Sequence, residues 1–382
     1  KKGSSKGKKN QIDISSGSNG TSNMSISHNG ANEKHDYYIG VNKFYTSGIS
    51  AMNDEGFTQD EDSYNNQGLI ANYGYKINDT FKFENSLRYS NSFLNYDAPN
   101  PSQNDEYPTT DDTELTYNMK LIQDSRKFKN QLIYNNFDLE RATKNGANVA
   151  SNYFGHRDAI NFIGEYNFDL DTRIVYGLDN EFDRANYKDD YSGLYEKADE
   201  AVYSQYFDYQ YRPEENLYST IGFRRDEHTT AGAYNTGRAT IAYILDGSSK
   251  IRSSIGTGIR FPSLYDYSYG TVLKNKEDVK PEKSNSMDLG YETVFESIDT
   301  SLNVSVFRIS YNDAITGWQS NIDTDGTTYV LKNANGTVVN KGLELSSLWQ
   351  PNNNFNIGLN YNYNKSHAAT DCDNPDNGET LC

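Results

Sequence analysis

The sequence predicts an all-β protein, an antiparallel transmembrane β-barrel. Three observations carry this: strands that alternate apolar and polar residues, connections that are short at one end and long at the other, and a wealth of tyrosine. Barrels of the outer-membrane type have short periplasmic turns and longer extracellular loops. A tilted strand needs about 9–11 residues to cross the hydrocarbon core.

The elements follow in chain order. Strands begin near Gln11, and a long polar loop is expected over residues 46–64. The tight link Ile77-Asn78-Asp79-Thr80 leads into a strand with Phe81, Phe83, Leu87 and Tyr89 on one face and Lys82, Glu84, Ser86 and Arg88 on the other. A second long loop is expected over 91–111, a tight link at Gln123-Asp124-Ser125-Arg126 and a third long loop over 139–156. Ile160, Phe162 and Tyr166 then alternate with Asn161, Glu165 and Asn167. The link Arg212-Pro213-Glu214-Glu215 precedes a fourth long loop over 259–283. After Pro351-Asn352-Asn353-Asn354, the residues Phe355, Ile357, Leu359, Tyr361 and Tyr363 alternate with Asn356, Gly358, Asn360, Asn362 and Asn364. A dry sandwich core could not hide Lys82, Glu84 and Arg88, so this face must line a wet or plugged lumen. The expected domain is a meander of about 17 strands over residues 11–365. Residues 1–10 enter it and residues 366–382 form part of an extracellular loop.

Composition explains why hydropathy alone would miss such a chain. Mean hydropathy is −0.86, and no stretch approaches the roughly 18 apolar residues of a membrane helix. Alternation halves the apolar content of every strand. Tyrosine (32) and phenylalanine (17) far outnumber tryptophan (2). Tyr75, Tyr134, Tyr243 and Tyr361 lie near strand ends, where an interfacial ring keeps its hydroxyl wet; tyrosine is also simply a good strand former. A formal net charge of −17 argues against nucleic acid as a partner. Asp54, Glu55, Asp60, Glu61 and Asp62 are read as a solvated loop face. The implied surroundings are outer-membrane lipid and lipopolysaccharide.

Motifs for chemistry are scarce. Gly3-Ser4-Ser5-Lys6-Gly7 has nucleophile-elbow spacing without the strand-turn-helix context. Asn321, Asp323, Asp325 and Gly326 imitate half a calcium loop, but its twelfth position is Lys332. The five histidines show no ligand spacing, and the chain is read as not an enzyme. Cys372 and Cys382 are expected to close a small disulfide loop, as an oxidising envelope compartment permits. An odd strand count implies further strands beyond Cys382 and leaves two open edges.

A series of segments then points to a family. Gly256-Thr257-Gly258-Ile259-Arg260-Phe261-Pro262-Ser263-Leu264-Tyr265 resembles the Gly-x-Gly-Phe-Arg-Ala-Pro-Ser-Leu segment of TonB-dependent outer-membrane receptors. Val279-Lys280-Pro281-Glu282-Lys283-Ser284, Tyr311-Asn312-Asp313-Ala314-Ile315 and Asn340-Lys341-Gly342-Leu343-Glu344-Leu345 follow in family order. Phe261 departs from the usual alanine. Gly342 beside Glu344 would permit close approach on an inward face.

The resemblance implies a 22-stranded barrel with a plug that would precede Lys1, together with active import driven through the TonB complex. The early part of the chain is most similar to the cobalamin receptor group. By that resemblance its acidic loop offers Asp97, Asp105, Glu106, Asp111 and Asp112 as oxygen ligands for Ca2+. Haem receptors of the family generally carry a histidine between the two motifs; this chain has Tyr265, Tyr267 and Tyr269 there as ligand-loop candidates. The expected ligand is therefore cobalamin, with a ferric siderophore second and haem third. A passive porin is the alternative from another class.

Overall fold

The computed structural model describes residues 7–49, 62–96, 108–145, 148–189, 194–264, 279–323, 326–333 and 336–368. The chain divides into two compact units: residues 1–163 with 179–201, and residues 164–178 with 202–382.

In the first unit β1 (Gly7–Ser16), β2 (Ser22–Ala31), β3 (His35–Thr46), β4 (Tyr64–Lys76), β5 (Phe81–Asn95), β6 (Pro108–Asp124) and β7 (Phe128–Asn145) pair antiparallel in sequence order. β8 (Asn148–Asn167), β9 (Thr172–Asp189) and β10 (Leu194–Glu214) each contribute to both units. The second unit continues with β11 (Leu217–His228), β12 (Gly232–Ile244), β13 (Ser249–Arg260), β14 (Glu282–Phe295) and β15 (Thr300–Asn312). β16 (Ile315–Asp323) and β17 (Gly326–Asn333) form a separate hairpin, after which β18 (Thr337–Asn352) pairs with β15 and β19 (Phe355–Ala368) with β18.

Among the described residues seventeen strands make up the main sheet, the number expected. The meander is corrected at one place: β15 pairs with β18, not with its sequence neighbour, because the polar segment carrying the calcium-like residues folds into the β16–β17 hairpin. A second correction concerns residues 139–156. β7 runs to Asn145 and β8 starts at Asn148, so most of this segment is strand, not loop. β6 to β10 are 17 to 21 residues long, about twice what a bilayer requires. The surplus is paired backbone standing clear of the membrane. Connections at 229–231 are likewise tight where the alternation calls for a longer loop.

The short end holds at residues 77–80, while the link expected at residues 212–215 is shifted, because β10 runs on to Glu214 and the turn falls at residues 215–216. Asn78 Oδ1 accepts the N–H groups of Thr80 and Phe81 at 2.8 Å each, an Asx turn. Asp169 does the same between β8 and β9, and between β12 and β13 Asp246 Oδ1 accepts both the backbone N–H and the hydroxyl of Ser248. Both carboxyls lie below the usual carboxylate range because backbone N–H groups bond their charged forms.

Alternation puts successive side chains on opposite faces. In the second unit, register aligns Leu289, Val306, Leu343 and Tyr363 in one row and Tyr291, Val304, Leu345 and Tyr361 in the next. These belong to an exposed apolar face that includes Ile255 (59% exposed), Met287 (51%) and Leu289 (52%). Phe355, Ile357, Leu359 and Tyr361 lie on this face, and Asn356, Asn360 and Asn362 on the other, as the alternation requires. An exposed apolar sheet face of this extent makes sense against lipid.

Candidate functional site

The polar face carries paired charges. In the first unit Lys82 Nζ reaches Glu84 at 2.9 Å and Asp36 at 3.3 Å. Amides extend this order across four strands: Asn118 donates to Asn135, Asn135 to Asn161 at 3.2 Å, and Asn161 to Asp179 at 3.0 Å. In the second unit Arg238 bonds Asp208, Arg224 bonds Asp226 at 2.8 Å, and Arg252 bonds Glu292 at 3.0 Å and Asp288 at 3.3 Å. Glycines make room for these side chains. A Cβ on Gly222 would stand 2.0 Å from Asp208 Oδ1, and one on Gly290 would stand 2.9 Å from the Arg252 guanidinium. A recess of about 620 Å³ opens near the short-turn end, lined by Lys250, Glu292, Asn303, Ser346 and Asn360 among others. The Asn303 Oδ1 atom is buried there with no hydrogen-bond partner among the described residues. A lumen wall of this kind is built for polar contents.

The family-motif residues meet at the opposite end of the second unit. Arg260, the last residue of β13, donates to Glu282, the first of β14. The other Glu282 oxygen accepts the backbone N–H of Ile315 at 2.6 Å, tying in the β16–β17 hairpin. Asn333, at the far end of that hairpin, closes the clamp. Its Oδ1 accepts the Lys280 N–H, and its Nδ2 donates to the carbonyls of Lys280 and Asp313, each at 2.7 Å. Pro281 and Val279 are buried beneath it.

Phe261, the departure from the family's alanine, packs on the β11–β12 hairpin. Its ring lies 4.7 Å from that of His228 and meets Tyr234 edge-on at 5.8 Å. His228 is 2% exposed, and its Nδ1 accepts the N–H groups of Thr230 and Ala231 at 3.0 and 3.1 Å. Pro262 is among the most fully buried side chains. The chemistry available here is geometric: ion pairs, amides and rings fix where β13 ends, where β14 begins and how the β16–β17 hairpin is tied to both.

Gly256 and Gly258 lie in β13, where a Cβ on Gly258 would stand 2.7 Å from Ser284 Oγ. Leu264 ends the described part of the motif. Gly342 and Glu344 share one face of β18, but the space above Gly342 is filled by the Phe307 ring of β15. Asp111 and Asp112 are consecutive in β6 and so face opposite sides. Asp111 accepts from Asn91 at 3.1 Å and Asp112 is held by Arg141 at 2.7 and 3.0 Å. Asp97, Asp105, Glu106, Tyr265, Tyr267, Tyr269, Cys372 and Cys382 lie outside the described residues. Among the described residues no group of three or more His, Cys, Asp or Glu could hold a metal ion. Asn333 and His228 escaped the sequence reading because each is one polar residue with no motif around it.

Residues 9–381 match the family model described as TonB dependent receptor-like, beta-barrel. Among curated proteins, the chain is similar to the vitamin B12 transporter BtuB of Vibrio vulnificus, 24% identical over 61% of this chain and 37% of that protein. It also resembles the vitamin B12 transporter BtuB of Photobacterium profundum, 22% identical over 72% and 42%. The chain thus spans less than half the length of these relatives. Among solved structures it superposes on the siderophore receptor PirA from Pseudomonas aeruginosa with a TM-score of 0.72 at 14% identity, covering 91% of this chain and 63% of that one. The copper transporter OprC gives 0.73 at 13%, covering 96% and 62%.

Proposed function

Because this chain belongs to the TonB-dependent receptor β-barrel family of bacterial outer-membrane transporters, we propose that it forms the lipid-spanning wall of an active importer for a scarce nutrient complex, cobalamin first and a ferric siderophore second. The observation that carries this reading is the motif clamp. Arg260, Glu282 and Asn333 bind three separate chain segments at the long-loop end of the second unit, the end at which a large, polar-rimmed ligand would be held by many weak contacts. The polar lumen face, with its recess at the short-turn end, suits a plug domain filling the lumen and driven by the TonB complex. Cobalamin ranks above siderophore because both curated relatives are named vitamin B12 transporters; the structural neighbours at 13–15% identity speak only for the fold. An acidic chain is also a poor match for anionic siderophores.

Calcium belongs to the proposal through Asp97, Asp105 and Glu106, with Asp111 at the loop base; Asp112 is committed to Arg141. The test is direct binding of cyanocobalamin and of ferric enterobactin to the complete purified receptor, with calcium and with chelator. Cobalamin binding that weakens at least tenfold on chelation is expected. Tight siderophore binding without cobalamin binding would overturn the ligand order, and binding indifferent to chelator would remove calcium.

A further inference from the structure

On the last three strands of the main sheet, the apolar face of the second unit gives way to cations. Register places Arg308 of β15 directly opposite Lys341 of β18, and Lys341 directly opposite Lys365 of β19. All three share the parity of Val306, Leu343 and Tyr363, so they lie on the lipid side, one row beyond those residues and in the row that Met287 and Ile255 continue on β14 and β13. All three are exposed. Directly opposed residues on one face have Cβ atoms about 4.5–5.5 Å apart, and like charges so placed repel. The next row outward, Asn285, Ser310, Val339 and His367, supplies no carboxylate, and the row below is apolar. Among the described residues none of the three cations has an ion pair, although the chain holds 53 acidic against 36 basic residues. On the lumen face the arginines of the same unit do have carboxylate partners.

We propose that Arg308, Lys341 and Lys365 form a binding site for the phosphate groups of a phosphorylated lipid in the outer leaflet. Height on the barrel selects this partner. On β15, β18 and β19 the cations sit on the long-loop side, immediately beyond Val306, Leu343 and Tyr363, so acyl chains would cover Leu343 and Tyr363 while the headgroup meets the cations. Three cations within about two strand spacings suit a headgroup bearing two phosphates better than one bearing a single charge. An anion there also removes the repulsion that the bare row carries. This inference rests on the outer-membrane location and not on the imported ligand, so it can fail without touching the ligand proposal.

The test uses the complete receptor, stripped of lipid in mild detergent and titrated in native mass spectrometry with hexa-acylated lipid A carrying two phosphates. The same lipid without phosphates and inorganic phosphate form the other arms. Replacing all three cations by glutamine is expected to weaken bisphosphorylated lipid binding about a hundredfold, the scale of three cations at an anionic surface. Binding of the dephosphorylated lipid should not change, and millimolar inorganic phosphate should not displace the bound lipid. Lys341→Gln alone should weaken binding about fivefold, a result that stands if the triple variant fails to fold. When lipid-free, the triple variant should unfold at a higher temperature than the parent, because its repulsion is gone. Equal binding by parent and variants, equal binding of the dephosphorylated lipid, or full displacement by inorganic phosphate would each overturn the proposal.

Discussion

Leu289→Arg is expected to destabilise the folded protein by about 2–4 kcal/mol, the cost of a guanidinium on the lipid face near the bilayer midplane. Leu289 sits between Ser253 and Val306 in register, in the middle of the apolar band and 52% exposed. In water such exposure would make arginine nearly neutral. Ser286→Arg, three residues away on the lumen face of the same strand, is the control, with an expected cost of about 0.5 kcal/mol or less. Urea unfolding in lipid vesicles, followed by tryptophan fluorescence and by the shift in gel mobility on heating, reads both. Equal small effects at the two positions would mean that β14 does not face lipid.

Gly342→Val should be comparably damaging for a different reason. A Cβ at Gly342 would come within 2.3 Å of the Tyr363 carbonyl oxygen and 2.7 Å of Phe307 Cζ. The ring can shift, but the carbonyl belongs to the β18–β19 ladder and cannot. Overpacking of this kind costs about 1–3 kcal/mol, and more where backbone must move. Phe307→Ala in the same chain should recover only part of the loss, since the backbone clash remains. Full recovery in the double variant, measured by the same unfolding assay, would assign the whole effect to the ring.

Much of this architecture is legible in the sequence wherever one face of a strand meets lipid. Phe355 to Tyr363 and Phe81 to Tyr89 alternate because lipid demands an apolar side chain at every second position, and both segments are strands with that parity. The signal fades where a strand leaves the membrane. Water wets both faces of β7 and β8 beyond the bilayer, so residues 139–156 lose alternation and read as loop although most of them are paired. The β16–β17 hairpin is hidden for the same reason, and its Asn321, Asp323 and Gly326 imitate a cation loop instead. At the candidate site the ordered segments from Gly256 to Leu345 expose Arg260 and Glu282 as partners in a motif. They cannot expose Asn333, which lies 53 positions from the backbone it clamps, nor the stacking of Phe261 on His228. Contacts of that kind depend on where a hairpin folds back, and no local pattern encodes it.

One face of each strand meets lipid and the other the lumen. The most direct measurement places single cysteines along β14, from Ser286 to Glu292, in a background lacking Cys372 and Cys382, in the complete receptor reconstituted in vesicles. Each is challenged with a lipid-soluble and a water-soluble thiol reagent. The account predicts a two-residue period: positions 287, 289 and 291 react with the lipid-soluble reagent, and positions 286, 288, 290 and 292 with the water-soluble one. Uniform reaction with the water-soluble reagent along the whole strand would contradict it.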